Sequence, residues 1–182
     1  MAALDLPERI VALHLALRDA SVPHAFGGAL ALAWCTQRAR GTIDIDLNLF
    51  VPPERASDVL AVLPEGVAVS DDDLAAIARD GQVRLWWDRT PVDVFFNTTP
   101  FHERVAERAR TEPFMGHDVP FLACRDLAVF KAFFDRTKDW ADLEEMAAAG
   151  TLDLDEVLGP LVRHLGADDP RVERLRRLPS RP

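Results

Sequence analysis

The sequence has no run of the roughly 18 consecutive apolar residues that a membrane helix needs, so nothing in it argues for a membrane span. Residues 1–8 carry neither a basic start nor a long apolar core, which argues against a secretory leader. Cysteine is scarce: Cys35 and Cys124 stand outside any CxxC or mixed Cys/His cluster. That spacing disfavours zinc and reads as two buried thiols in a reducing, cytoplasmic compartment. The five histidines show no ligand spacing either. Lysine is rarer than arginine, with only Lys131 and Lys138, both in one short segment. The net charge is −9, so the chain lacks the cationic excess that coats nucleic acid. Broad DNA binding is therefore disfavoured, while a local basic patch is allowed.

What is present is ordinary globular composition, 48% hydrophobic and 28% charged over 182 residues, enough to bury a core without disulfides. The 3.6-residue pattern predicts helices at 7–20, 29–35, 54–63, 71–80 and 101–110. Ile43 to Val51 alternates strictly and predicts a strand, with Asp44, Asp46, Asn48 and Phe50 on one face and Ile43, Ile45, Leu47, Leu49 and Val51 on the other. Val83–Trp87 and Pro91–Asn97 predict an antiparallel hairpin around Asp88-Arg89-Thr90, and 114–123 a shorter one. Four helices follow, at 126–135, 138–149, 153–165 and 170–178. The expected organisation is a mixed α/β core over 1–124 and a helical segment over 125–182.

Asp44 and Asp46 are two apart on a strand, so both carboxylates leave the same face. Asp93 interrupts the β-branched run Val92-Asp93-Val94, where local preference disfavours it. If the three converge, carboxylates about 4 Å apart repel by roughly 4 kcal/mol at an effective dielectric near 20, and protons or a cation must relieve that. Three hard oxygens suit Mg²⁺ or Mn²⁺, and a two-metal site would hold the attacking and leaving oxygens of an in-line phosphoryl displacement. Gly27-Gly28 sits between a short apolar run and a helix-forming run, where glycine lets backbone approach a phosphate closely. Each signal alone has a plain structural reading: a solvated sheet face, or a tight turn.

The assembly is more specific. Gly27-Gly28, then Arg40-Gly41-Thr42-Ile43-Asp44-Ile45-Asp46-Leu47, then Asp93, resembles the DNA polymerase β-like nucleotidyltransferase superfamily. The nearer likeness is to AbiEii-type bacterial nucleotidyltransferases, which include toxins of type IV toxin–antitoxin systems, and it extends to Lys131 and Lys138-Asp139-Trp140-Ala141-Asp142-Leu143. The gap from Gly28 to Asp44 is longer than usual for the superfamily, and Gly-Gly stands where many relatives have Gly-Ser.

The resemblance implies a nucleotidyltransferase fold, a mixed sheet flanked by helices. It implies transfer of a nucleoside monophosphate from an NTP to an acceptor hydroxyl on a tRNA or other RNA end, a protein side chain or a small molecule. Asp44, Asp46 and Asp93 would be catalytic and hold Mg²⁺ or Mn²⁺, and Gly27, Gly28 and Lys131 would bind the nucleotide. A cognate toxin or antitoxin partner is also implied. From its neighbours alone Lys131 could equally pair with Asp135 four residues on, and Arg40 and Thr42 could contact phosphate or tie the turn to the strand. Lys138, Asp139 and Asp142 read as surface helix positions as readily as functional ones. Arg171, Arg174, Arg176 and Arg177 read as a solvated face, and Trp34, Trp86, Trp87 and Trp140 as core. The competing readings are a binding module or antitoxin-like subunit on the same fold, and an α/β protein whose aspartates only solvate a sheet.

Overall fold

The structure is a computed structural model and describes residues 4–178. They form two compact units: residues up to 27 together with 41–121, and 28–40 together with 122 onward.

The first unit is built on one seven-stranded mixed sheet. Its strands are β1 (His24–Phe26), β2 (Ile45–Leu49), β3 (Val67–Ala68), β4 (Gln82–Trp87), β5 (Thr90–Phe96), β6 (Arg110–Phe114) and β7 (His117–Phe121), in the order β3-β4-β5-β2-β1-β7-β6. β2 and β5 run parallel, as do β1 and β7, and the other neighbours are antiparallel. Helices α1 (Leu6–Asp19), α3 (Ala56–Leu60), α4 (Asp71–Asp80) and α5 (Pro100–Arg108) belong to this unit. Their ends follow local chemistry. Asp5 and Glu8 form a capping box at α1, Ser70 and Asp73 another at α4, and Gly81 ends α4 in the left-handed region.

The predicted strand from Ile43 begins two residues later than expected. Pairing with β5 starts at Ile45 beside Val92, and Ile43, ahead of that pairing, is 80% exposed. The β4–β5 turn is shorter than expected: Thr90 pairs with Trp87, leaving Asp88-Arg89 as the turn, with Asp88 at positive φ. Trp86 is not core. Alternation on β4 buries Leu85 and Trp87 and turns Arg84 and Trp86 outward.

The second unit is helical: α2 (Gly28–Thr36), α6 (Cys124–Phe134), α7 (Thr137–Ala149), α8 (Leu154–Leu165) and α9 (Pro170–Arg176). Trp140, Leu143, Met146, Val157, Leu161, Val172 and Leu175 fill its core. The expected pair of free thiols is corrected: Cys35 on α2 and Cys124 at the start of α6 form a disulfide, with Cα atoms 5.6 Å apart. The two cysteines are 89 residues apart in sequence, so spacing alone could not show that the fold makes them neighbours. Among the described residues no helix is long and apolar enough to cross a membrane.

Candidate active site

β2 separates two faces. Ile45, Leu47 and Leu49 are fully buried on one, which leaves Asp46 and Asn48 on the other, with Asp44 in the same phase just ahead of the strand. β5 repeats the pattern: Val92, Val94 and Phe96 are buried, and Asp93 faces the opposite way. The parallel register then sets Asp46 directly beside Asp93. On the other side of β2, the residue after β1 is Gly27, whose N–H donates to the carbonyl of Asp46 at 2.9 Å. Beyond Asp93, the antiparallel hairpin sets Arg84 opposite it. Gly27, Asp46, Asp93 and Arg84 thus stand side by side across four neighbouring chain segments.

Carboxylates in adjacent register positions repel, and the sheet meets this repulsion with Arg84. Its Nε donates to Asp93 Oδ1 and its Nη2 to Asp93 Oδ2, both at 2.7 Å, so the guanidinium fork covers both oxygens. The hydrogen bond and charge of Asp93 raise the Arg84 pKa above its ordinary value, and the charges of Asp44 and Asp46 act in the same direction. Arg84 therefore sits in the field of all three aspartates. At the start of β2, the Thr42 hydroxyl donates to the Asp44 carboxylate, and the Asp44 N–H donates back to Thr42 Oγ1 at 3.3 Å. Thr42 thus ties the turn to the strand.

In kind, three aspartates along one sheet face suit a hard divalent cation. As arranged, with both oxygens of Asp93 on Arg84, no three His, Cys, Asp or Glu side chains among the described residues converge to hold a metal ion.

The remaining candidates belong to the helical unit. Gly28 opens α2 at φ +52°, a conformation glycine adopts without the steric penalty of a side chain. Lys131 is buried on α6, with its ammonium 2.5 Å from Asp142 and 3.8 Å from Asp139. Arg40 donates to the same Asp142 at 2.6 Å, and Arg136 to Asp139 at 2.6 Å. Asp139 and Asp142 are therefore buried anchors of an ion-pair network. Asp135, the i+4 alternative for Lys131, accepts the indole N–H of Trp140 and ends α6 in the left-handed region.

The residue that sequence reasoning missed is Arg84. The hairpin itself held the signal: with a two-residue turn at Asp88-Arg89, counting back from Trp87 beside Thr90 reaches Arg84 beside Asp93.

No protein-family model and no curated protein sequence matches this chain. Solved structures do. The chain is similar to the antibiotic-resistance factor ANT(2'')-Ia in solution, with a TM-score of 0.58 and 14% identity over 87% of this chain and 90% of that one. It is also similar to crystalline ANT(2'')-Ia in complex with adenylyl-2''-tobramycin, with a TM-score of 0.54 and 19% identity over 92% of each chain. The lincomycin-bound lincosamide antibiotic adenylyltransferase LnuA gives a TM-score of 0.53 and 11% identity over 78% of this chain and 96% of its own. The α+β architecture expected from the sequence is thus the fold of these nucleotidyltransferases.

Proposed function

We propose that the protein is a metal-dependent nucleotidyltransferase that moves a nucleoside monophosphate from an NTP to an acceptor hydroxyl, with pyrophosphate leaving. One observation carries the reading: Asp46 and Asp93 lie in adjacent register on one sheet face, with Gly27 bonded to Asp46, in a chain with the fold of nucleotidyltransferases. Asp44, Asp46 and Asp93 are the residues that would hold Mg²⁺ or Mn²⁺, which when bound supplies positive charge for the triphosphate and the departing pyrophosphate. Asp93 would also help take the proton from the acceptor hydroxyl. Gly27 and Gly28 present backbone to the triphosphate without a side chain in the way.

Charge narrows the acceptor. A chain of net charge −9 repels an RNA polyanion and attracts a cationic acceptor. We therefore favour a hydroxylated, amine-bearing small molecule, in keeping with the adenylyl-tobramycin bound to ANT(2'')-Ia. The motif from Arg40 to Asp46 supports a second reading, a toxin-type AbiEii-like enzyme with a cognate antitoxin, in which the acceptor is an RNA end or a protein side chain.

The test is incubation with each α-labelled NTP, Mg²⁺ or Mn²⁺, and a panel of aminoglycosides, lincosamides, total RNA and protein extract. Label should pass to an amine-bearing small molecule and be lost in Asp44→Ala and Asp46→Ala. Transfer that persists unchanged in both variants removes the site. Absence of any melting-temperature shift with a non-hydrolysable NTP and metal removes nucleotide binding altogether.

A further inference from the structure

We propose that Arg84 is a positioning residue that exchanges with the divalent cation on Asp93: its guanidinium holds the carboxylate when no metal is bound and yields it when metal arrives. The inference rests on the metal-dependent reading above and concerns how that site is regulated.

Three observations lead to it. Register places Arg84 directly across from Asp93, so the pair is built into the hairpin and needs no long side-chain excursion. The guanidinium covers Oδ1 and Oδ2 together, so Asp93 has no oxygen left that is not already answering a positive charge. The pair is also accessible, with the Arg84 side chain 51% exposed and that of Asp93 20%. A pair so open to water is weak enough to be released, unlike a buried pair.

The geometry has a direct consequence. Three aspartates on one sheet face need a counter-charge whether or not metal is present. Arg84 supplies it in the absence of metal and thereby competes with the ion. Removing the arginine should loosen the metal-free protein and tighten its grip on metal, two effects of opposite sign. A side chain that merely packs against the strand gives the first without the second.

The experiment is Mn²⁺ binding to the full chain, followed by electron paramagnetic resonance of free Mn²⁺ and by thermal melting with and without the ion, in wild type, Arg84→Met and Arg84→Lys. Arg84→Met keeps the apolar stem but not the charge, and should bind Mn²⁺ roughly fivefold more tightly, the effect of deleting one half-exposed positive charge beside the ion. Its melting temperature should be lower than wild type without metal and should recover on adding it. Arg84→Lys keeps the charge but cannot fork across both oxygens, and should fall between the two. Equal or weaker Mn²⁺ affinity in Arg84→Met overturns the exchange, as does the absence of saturable Mn²⁺ binding in wild type. Nucleotidyl transfer is assayed separately: transfer in wild type alongside unchanged Mn²⁺ affinity in Arg84→Met removes the exchange and leaves the enzyme reading intact. Tighter Mn²⁺ binding without transfer to any acceptor removes the enzyme reading and leaves the exchange.

Discussion

Two groups of aspartates, each answered by basic side chains, differ in what surrounds them. In the helical unit, Asp139 and Asp142 are at most 1% exposed and are held by Lys131, Arg40 and Arg136. In the sheet unit, Asp44, Asp46 and Asp93 line one face, and their arginine is half exposed. Burial makes the first group hard to change, because each charge has left water and depends on its partners. Exposure makes the second exchangeable, because water can replace a lost partner at little cost. The same residue types thus anchor helices in one unit and offer a replaceable counter-charge in the other.

The largest expected effect tests the buried side of this contrast. Asp142→Ala leaves Lys131 and Arg40 without the carboxylate they share, and should cost about 3–5 kcal/mol of stability by urea unfolding. Lys131→Met combined with Asp142→Leu should recover much of the loss, because removing both buried charges is far milder than stranding one. A double variant no better than Asp142→Ala would place the loss in packing instead. The disulfide comes next. It closes a separation of 89 residues, so reduction, or Cys35→Ala with Cys124→Ala, should cost about 2–4 kcal/mol. A thiol count under denaturing conditions, with and without reductant, shows directly whether the bond is present in the purified protein.

How much of this was legible in the sequence follows the range of the interactions. Period-2 alternation found the β2 face, because the phase that buries Ile45, Leu47 and Leu49 turns Asp46 to the other side. The 3.6-residue apolar pattern found the helices to within a few residues, since it repeats every three or four positions. The long-range partnerships were not legible. Nothing near Lys131 in the chain says that Asp142 will outcompete Asp135, and nothing near Cys35 points to Cys124. Ile43 looked like core because it fits the alternation, but alternation holds only where a neighbouring strand pairs, and pairing begins at Ile45. Arg84 is the intermediate case. Its partner is nine residues away, and the register that joins them depends on whether Thr90 belongs to the turn or to the strand.

A second buried pair, in the sheet unit, sharpens the contrast by pH. His24 Nδ1 donates to the carbonyl of Val22 at 2.8 Å, which leaves its Nε2 to accept from His14 Nδ1 at 3.0 Å. Burial lowers both imidazoles, that of His14 to about 4, with the charges of His24 and Arg18 adding to its shift. The unfolded chain binds these protons near pH 6.5 and the folded chain resists them. The contribution of these groups to stability is therefore full above about pH 6.5 and falls as pH drops toward 4. Melting temperature measured from pH 7.5 to 4.5 should decline, and His14→Gln should flatten the decline. A slope unchanged in that variant would move the effect to other groups.

The smallest expected effect on stability is at Asp93, where the largest effect on chemistry is expected. Asp93→Asn removes a charge that is 20% exposed and paired with a half-exposed arginine, so unfolding should change by less than about 1 kcal/mol. Relief of repulsion with Asp46 offsets part of even that loss, since the two lie in adjacent register. If Asp93 holds metal and accepts the acceptor proton, nucleotidyl transfer should nevertheless fall by about a thousandfold or more, the scale seen when a preorganised charge is removed from an active site. Measured together, unfolding midpoint and transfer rate place each aspartate on one side of the contrast. Asp142→Ala should lower the midpoint far more than Asp93→Asn does, and Asp93→Asn should lower transfer while the fold stays intact. A variant of Asp93 that unfolds as readily as one of Asp142 would mean that the sheet-face charges also stabilise the fold, and the distinction drawn from exposure would fail.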